Sequence, residues 1–181
     1  MNRPRSALRG QTGDQRRLLN RLCHAHCEKT GERGVAVYRE GFISVEDGYR
    51  VWYCVHGPDE TTSADPLLVL HAGPGTGHDG VASLADLGAE RAVVLYDQLG
   101  CGRSDSPDDP SRWVMDRFVR EIDLVREALN LERLHLFGSS WGGFLAIEYL
   151  LGRSEGVVSA VLASTTASTL QFEESVTSRV R

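Results

Sequence analysis

The feature that most constrains this chain is a glycine–serine–glycine motif at the end of a short, mostly apolar run. Residues 134–137 lead directly into Gly138, Ser140 and Gly142 at alternate positions, and a helix-like stretch follows. If a buried strand ends here and a helix begins at once, Ser140 must occupy a sharp strand-to-helix turn. A Cβ at either glycine would collide across such a turn. The motif therefore predicts a strained Ser140 whose Oγ projects above the end of a sheet.

The predicted helix start beside Ser140 also supplies a hydrogen-bond donor. N–H groups in the first turn of a helix have no intrahelical acceptor, and they carry the positive end of the helix dipole. The N–H of Trp141 can therefore donate to an oxyanion that develops when Ser140 attacks a carbonyl group. A second glycine, Gly143, together with the flanking strand and helix, makes this interpretation more specific than Gly-x-Ser-x-Gly alone.

The rest of the chain reads as alternating strands and helices. Residues 42–46 and 49–55, joined by Asp47-Gly48, predict an antiparallel hairpin at a sheet edge. Continuous apolar runs predict buried strands, and three- and four-residue apolar spacing predicts helices. The predicted strands are 67–70, 92–96, the strand before Ser140 and 157–163; the predicted helices are 80–87, 111–129 with Ser111 as the cap, 142–151 and 170–181. This order favours an α/β fold with a mostly parallel sheet covered on both faces.

Charge divides the chain into a basic extension and an acidic body. Residues 1–39 carry 9 Lys and Arg against 3 Asp and Glu, whereas residues 40–181 carry 11 against 22. A basic arm can bind nucleic acid or a membrane surface. This one has no interleaved aromatic residues and no dense basic run. We therefore expect residues 1–39 to be a solvated extension, partly disordered and partly helical, that docks on its own acidic domain and binds neither partner. No apolar run approaches the length of a membrane span, and no secretory signal is evident.

Four cysteines are too few to indicate a disulfide scaffold, which favours a reducing, cytoplasmic setting. Two of them belong to Cys23-His24-Ala25-His26-Cys27, which holds four metal-ligand types within five residues. Adjacent ligands on one helical turn cannot all converge on an ion, so we expect no metal site here. We expect no other cofactor either. A dinucleotide-binding unit is disfavoured because no Gly-x-Gly-x-x-Gly follows the first parallel strand.

Three segments together resemble the proline iminopeptidase family of α/β-hydrolases. They are His71-Ala72-Gly73-Pro74-Gly75, the loop Asp97-Gln98-Leu99-Gly100-Cys101-Gly102-Arg103-Ser104, and the Gly138–Gly143 motif. The resemblance spans residues 40–168 and corresponds to the N-terminal half of such enzymes. It implies a truncated α/β-hydrolase core at 40–168 without the C-terminal strands and most of the cap, and 169–181 as the start of a cap helix or a frayed tail. Ala72 departs from the family, which usually has glycine there, and its methyl group would narrow the entrance.

The resemblance also implies a role for each matching residue. Ser140 would be the acylated nucleophile, and the N–H groups of Trp141 and Gly73 would form the oxyanion hole. The remaining matched positions would shape the site: His71, Pro74, Gly75, Asp97, Gln98, Gly138 and Gly142. Family members release an N-terminal residue, often proline, from short peptides, and related enzymes cleave amino-acid amides or small esters.

The sequence does not supply the rest of a catalytic triad. In an α/β-hydrolase the acid and then the histidine follow the serine, but all six histidines of this chain precede Ser140. His71, His78 and His135 are the upstream alternatives for the base, and none has the expected place in the chain. Two hypotheses therefore stand: a serine hydrolase by lineage, or an inactive truncated fragment or binding module. Truncation after strand 157–163 would also expose a sheet edge and promote self-association.

Overall fold

The computed structural model describes residues 37–57 and 64–179, and its centre is one six-stranded sheet. The spatial order of the strands is β1-β2-β4-β3-β5-β6. β1 and β2, and β2 and β4, pair antiparallel, whereas β3–β4, β3–β5 and β5–β6 are parallel. The strands are β1 Val37–Ser44, β2 Arg50–Gly57, β3 Leu67–Leu70, β4 Val93–Tyr96, β5 Leu134–Ser139 and β6 Val157–Ala163.

The hairpin at the first edge confirms the Asp-Gly prediction. Asp47 and Gly48 both adopt positive φ values, 58° and 80°, inside a short 3₁₀ turn at Glu46–Gly48. Two successive positive φ values give a turn whose twist matches the right-handed twist of the two strands it joins. Asp-Gly adopts such values readily. The hairpin places β2 beside β4 in antiparallel pairing, so the parallel part of the sheet begins with β4, the third strand from this edge.

Helices cover both faces of the sheet, as predicted. On one face lie α1 (Met115–Ala128) and α2 (Trp141–Gly152), which bury a large apolar cluster that includes Leu68, Ile122 and Leu145. On the other face the 3₁₀ segment His78–Ala89 packs Val81 against Trp52 and Val69. A further helix, α3 (Thr169–Arg179), follows β6. All four residues of β3, Leu67–Leu70, are buried, which explains why a central strand appears in the sequence as a continuous apolar run.

Two predicted helices differ from the observed ones. The segment predicted as helix 80–87 is the 3₁₀ segment His78–Ala89. The helix predicted from residue 111 begins at Met115, and Ser111 is not its cap. Asp109 instead caps a separate 3₁₀ turn, Pro110–Arg112, by accepting a hydrogen bond from the Ser111 N–H at 3.0 Å.

Strand β6 lies at the second edge of the sheet, and the prediction that it is buried is wrong. Its exposed apolar side chains include Val158 (44% exposed), Val161 (55%) and Leu162 (43%). The accompanying expectation, that this strand forms an uncovered edge, agrees with the strand order. An apolar edge strand has unpaired backbone groups that can pair with another chain.

The predictions for residues 1–36, including the Cys23–Cys27 cluster and most of the basic extension, lie outside the described residues. Within residues 37–57 and 64–179, none of the helices has both the length and the apolar character needed to cross a membrane.

Candidate active site

Ser140 occupies the strand-to-helix turn that the sequence predicts. It follows β5 directly, precedes α2, and adopts φ 52° and ψ −113°. This is a left-handed conformation that non-glycine residues rarely adopt and that often marks a functional position. The side chain of Ser140 is exposed, so the strained turn presents its Oγ to solvent.

The two flanking glycines are required by close backbone contacts. A Cβ built on Gly142 would lie 2.1 Å from the carbonyl oxygen of Leu70, at the end of β3. A Cβ on Gly138 would lie 2.4 Å from the carbonyl oxygen of Gly142. Both distances are far inside van der Waals contact, and the opposing atoms are backbone. The elbow can therefore form only with glycine at both positions.

The end of β6 and the turn that follows it hold the backbone of Ser140 in place. The Ser140 N–H donates to the carbonyl oxygen of Ala163, the last residue of β6, at 2.8 Å. The Ser140 carbonyl oxygen accepts the hydroxyl of Thr165 at 2.8 Å, besides the N–H groups of Gly143 and Phe144. Sequence analysis missed Thr165, because a contact between residues this far apart leaves no local pattern.

The two predicted oxyanion donors come from different elements: Trp141 from the start of α2 and Gly73 from the loop after β3. Trp141 is the first residue of α2, so its N–H has no intrahelical acceptor. Gly73 follows β3 and has a φ of 141°, a conformation favourable to glycine. Hydrogen bonds shape its loop: the Thr76 hydroxyl donates to the Ala72 carbonyl at 2.5 Å, and the Gly75 N–H lies 3.3 Å from the Cys101 thiol. Pro74 follows Gly73 in this loop through a cis peptide bond.

Gln98 connects the three loops around the nucleophile. Its side-chain oxygen accepts the indole N–H of Trp141 at 2.8 Å. Its backbone N–H donates to Nε2 of His71 at 3.0 Å, and its amide nitrogen lies 3.4 Å from the His71 carbonyl oxygen. Gln98 is fully buried. One glutamine thus ties the end of β4 to the end of β3 and to the first residue of α2.

Asp97 is a buried carboxylate that organises the neighbouring loop. One of its oxygens accepts the backbone N–H of His78 at 2.7 Å and lies 2.9 Å from the His78 Nδ1, and the other accepts the Arg103 N–H at 2.8 Å. Burial by itself raises the pKa of Asp97, but the hydrogen bonds from His78 and Arg103 outweigh it and hold that pKa below its usual value. The Trp52 and His78 rings are tilted, with centroids 4.4 Å apart.

The upstream histidines considered as a base are all engaged elsewhere. His71 is buried, its Nε2 accepts the Gln98 N–H at 3.0 Å, and burial lowers its pKa. His78 is paired with Asp97, and the Nδ1 of His135, in the middle of the sheet, lies 2.8 Å from the hydroxyl of Ser159. Within residues 37–57 and 64–179, no hydrogen bond joins an imidazole to the Ser140 Oγ, and no cluster of three or more potential ligands could hold a metal ion.

Comparison with known families agrees with this geometry. The family model described as alpha/beta hydrolase fold matches residues 65–178. The proline iminopeptidase of Heyndrickxia coagulans is 44% identical over 138 residues, which cover 76% of this chain and 47% of that protein. The proline iminopeptidase of Lactiplantibacillus plantarum is 44% identical over 125 residues, covering 67% of this chain and 43% of the relative.

Solved structures show the same partial match. The crystal structure of the proline iminopeptidase of Mycobacterium smegmatis superimposes with a TM-score of 0.72 at 36% identity, covering 77% of this chain and 48% of that one. The crystal structure of VinJ gives a TM-score of 0.71 at 33% identity and similar coverage. The chain therefore spans about half the length of the relatives that it matches.

Proposed function

This chain belongs to the α/β-hydrolase fold family, and we propose that it is the nucleophile-bearing part of a serine hydrolase of the proline iminopeptidase type. Its substrates would be short peptides with an N-terminal proline or another terminal residue, or amino-acid amides and small esters. The observation that carries the proposal is the strained backbone of Ser140 between Gly138 and Gly142, with the Trp141 N–H beside it. Known relatives that share about half their length with this chain support the substrate class.

In this mechanism the Ser140 Oγ attacks the carbonyl carbon of the scissile bond. A base accepts the hydroxyl proton, and the negative charge that develops on the carbonyl oxygen is stabilised by the N–H groups of Trp141 and Gly73. The tetrahedral intermediate then collapses: the bond to the leaving amine or alcohol breaks, and the leaving group takes up the proton. An ester on Ser140 remains. Water then gives a proton to the base and attacks the ester carbonyl carbon, and the second tetrahedral intermediate collapses by breaking the bond to the Ser140 Oγ, which takes the proton back.

The base of this reaction must come from outside the described residues. The imidazoles of His71, His78 and His135 are bonded to other groups, and no histidine follows Ser140. A serine without a base remains a neutral, weak nucleophile, and only the oxyanion donors and substrate binding would then accelerate the reaction. This observation favours the second candidate function, a catalytically inactive fragment or binding module.

Labelling with a fluorophosphonate probe separates the two candidates. We expect the purified chain to be labelled if the nucleophile is activated, and we expect Ser140→Ala to abolish the labelling. Ser139→Ala is the matched control, because it removes a neighbouring hydroxyl from the same turn. No labelling of the wild-type chain, beside a labelled proline iminopeptidase of full length, would reject the hydrolase proposal for this chain and support the inactive fragment.

A further inference from the structure

A buried ion pair beneath the candidate site has no role in the mechanism above. Glu121 and Arg117, one turn apart on α1, are 1% and 4% exposed. The Arg117 Nη1 donates to the Glu121 carboxylate at 2.5 Å, and the Arg117 Nε donates to the carbonyl oxygen of Arg112 at 2.9 Å. A buried pair of this kind is weak evidence for stability, because a well-packed apolar pair often does as well or better. Its presence therefore requires another explanation.

The carboxylate of Glu121 accepts a backbone hydrogen bond from the loop that carries Gln98. The Leu99 N–H lies 3.3 Å from each oxygen of the Glu121 carboxylate. The preceding residue, Gln98, accepts the indole N–H of Trp141 and donates its own N–H to His71. A single peptide unit thus separates the group held by Glu121 from the residue that holds the Trp141 indole.

A second set of contacts runs from the same pair to the same indole. The Arg117 guanidinium lies over the Phe118 ring, with Cζ 3.9 Å from the ring centroid. The Phe118 ring meets the Trp141 indole edge-on, with centroids 5.4 Å apart and an interplanar angle of 80°. The Trp141 ring is therefore contacted at its N–H by Gln98 and at its ring by Phe118. Gln98 is next to Leu99, which is bonded to Glu121, and Phe118 lies under the Arg117 guanidinium.

We propose that Glu121, with Arg117, is a positioning residue for the nucleophile elbow: it fixes the Leu99 N–H and, through Gln98, the Trp141 residue whose backbone N–H faces the oxyanion. This inference rests on the proposed function for the role of that N–H. The proposed effect of Glu121 on the environment of the Trp141 indole can also be tested without measuring catalytic activity.

The charge state of Glu121 gives the arrangement a measurable signature. Burial raises the pKa of Glu121 to about 7, against the opposing effects of Arg117 and the Leu99 N–H. Other charged or titratable groups face or influence this carboxylate: Arg117 on α1, Tyr96 at the end of β4, Glu46 in the hairpin turn and Cys101 in the loop. The Tyr96 hydroxyl and the Arg117 Nη2 are buried without a hydrogen-bond partner among the described residues.

The test follows the indole N–H of Trp141 by NMR as the pH is changed. The chain contains three tryptophans, Trp52, Trp113 and Trp141, so three indole signals are expected, and Trp141→Phe assigns the relevant one. We expect the Trp141 signal to shift with a midpoint near pH 7 in the wild-type chain, and to lose this transition in Glu121→Gln. Glu127→Gln, an exposed position on the same helix, should keep the transition.

Two results would overturn the proposal. One is a Trp141 signal that does not change between about pH 5 and 9 in the wild-type chain. The other is an unchanged transition in Glu121→Gln, which would assign the transition to a group other than Glu121. If Glu121→Gln leaves Arg117 unpaired and fails to fold, the double variant Glu121→Gln/Arg117→Gln removes both charges and answers the same question. The NMR experiment does not use the fluorophosphonate probe. A chain whose Ser140 is not labelled would therefore still test the role of Glu121.

Discussion

The left-handed turn at Ser140 depends on the absence of two side chains, and this dependence can be measured at Gly142. Alanine there would place a methyl group 2.1 Å from the Leu70 carbonyl oxygen, so either β3 or α2 must move. We expect Gly142→Ala to lower the free energy of unfolding by about 2–3 kcal/mol or more, as overpacking against backbone does. Chemical denaturation would measure the change. Gly152→Ala is the control: it lies at the end of the same helix with nothing near its added Cβ, and an equal loss there would contradict the steric explanation.

The lowered pKa of Asp97 predicts how the stability of the folded chain depends on pH. Its pKa is held below the usual value in the folded chain, so its contribution to stability is present above the pKa of the unfolded chain and is lost as the pH falls through the lowered one. We expect Asp97→Asn to be less stable than wild type at pH 7 by about 2–4 kcal/mol, because hydrogen bonds to a charged acceptor are lost.

Asp97→Asn should also reduce the loss of free energy of unfolding that accompanies a fall in pH, because its side chain cannot be protonated. Thermal unfolding between about pH 3 and 7 would measure both effects. Asp86→Asn, at an exposed position of the 3₁₀ segment His78–Ala89, is the matched control. Equal acid sensitivity in wild type and Asp97→Asn would show that other carboxylates dominate.

Among the elements, the packing of α1 on α2 depends on one buried hydroxyl. The Tyr149 hydroxyl accepts from Arg126 at 2.6 Å and donates to Asp123 at 2.8 Å, so α2 is bonded twice to α1. We expect Tyr149→Phe to lower the free energy of unfolding by about 1–3 kcal/mol, because both hydrogen bonds between the two helices are lost. Denaturant unfolding, with Glu148→Gln on the same helix as the control, would measure it. A cost below about 0.5 kcal/mol would show that water replaces the hydroxyl.

The sequence predicts elements where the signal is local. The Asp47-Gly48 turn and the apolar runs of β3 and β4 were readable because the relevant residues are neighbours. The prediction of Ser111 as a helix cap is wrong because Asp109, two residues earlier, accepts both its N–H and its hydroxyl and holds it in a separate 3₁₀ turn. The burial of β6 was mispredicted because an apolar run looks the same in a central strand and at an edge.

The candidate site was predictable to a similar extent. Ser140 and its glycines form a motif, and their backbone constraints follow from the chain itself. Gln98 was recognised only through a resemblance, and Thr165 and Glu121 were not recognised at all. Their roles come from side chains that meet residues far away in the chain, and no periodicity or spacing records such contacts.

For the molecule as a whole, the exposed strand β6 predicts association. The strand presents Val158, Val161 and Leu162 at 43–55% exposure along an open edge. We propose that copies of this chain pair through that edge, and we expect their sedimentation coefficient to rise with protein concentration. Val161→Lys should reduce the association.

A matched control distinguishes edge pairing from a general effect of charge. Ala128→Lys adds the same charge at an exposed position on α1 and should leave the association unchanged. Wild-type chain that sediments as a monomer at every concentration would contradict edge pairing. So would equal effects of the two lysine substitutions.

The hydrogen bond from the Ser140 N–H to the Ala163 carbonyl has a dynamic consequence. An amide exchanges its hydrogen with solvent when the bond that protects it opens, and edge strands open more often than central ones. The Ser140 amide should therefore exchange at the rate at which β6 frays, although Ser140 itself follows β5, an interior strand of the sheet. A chain that pairs with β6 would slow that fraying, so the rigidity of the nucleophile would be set by what lies along the outer edge of the sheet.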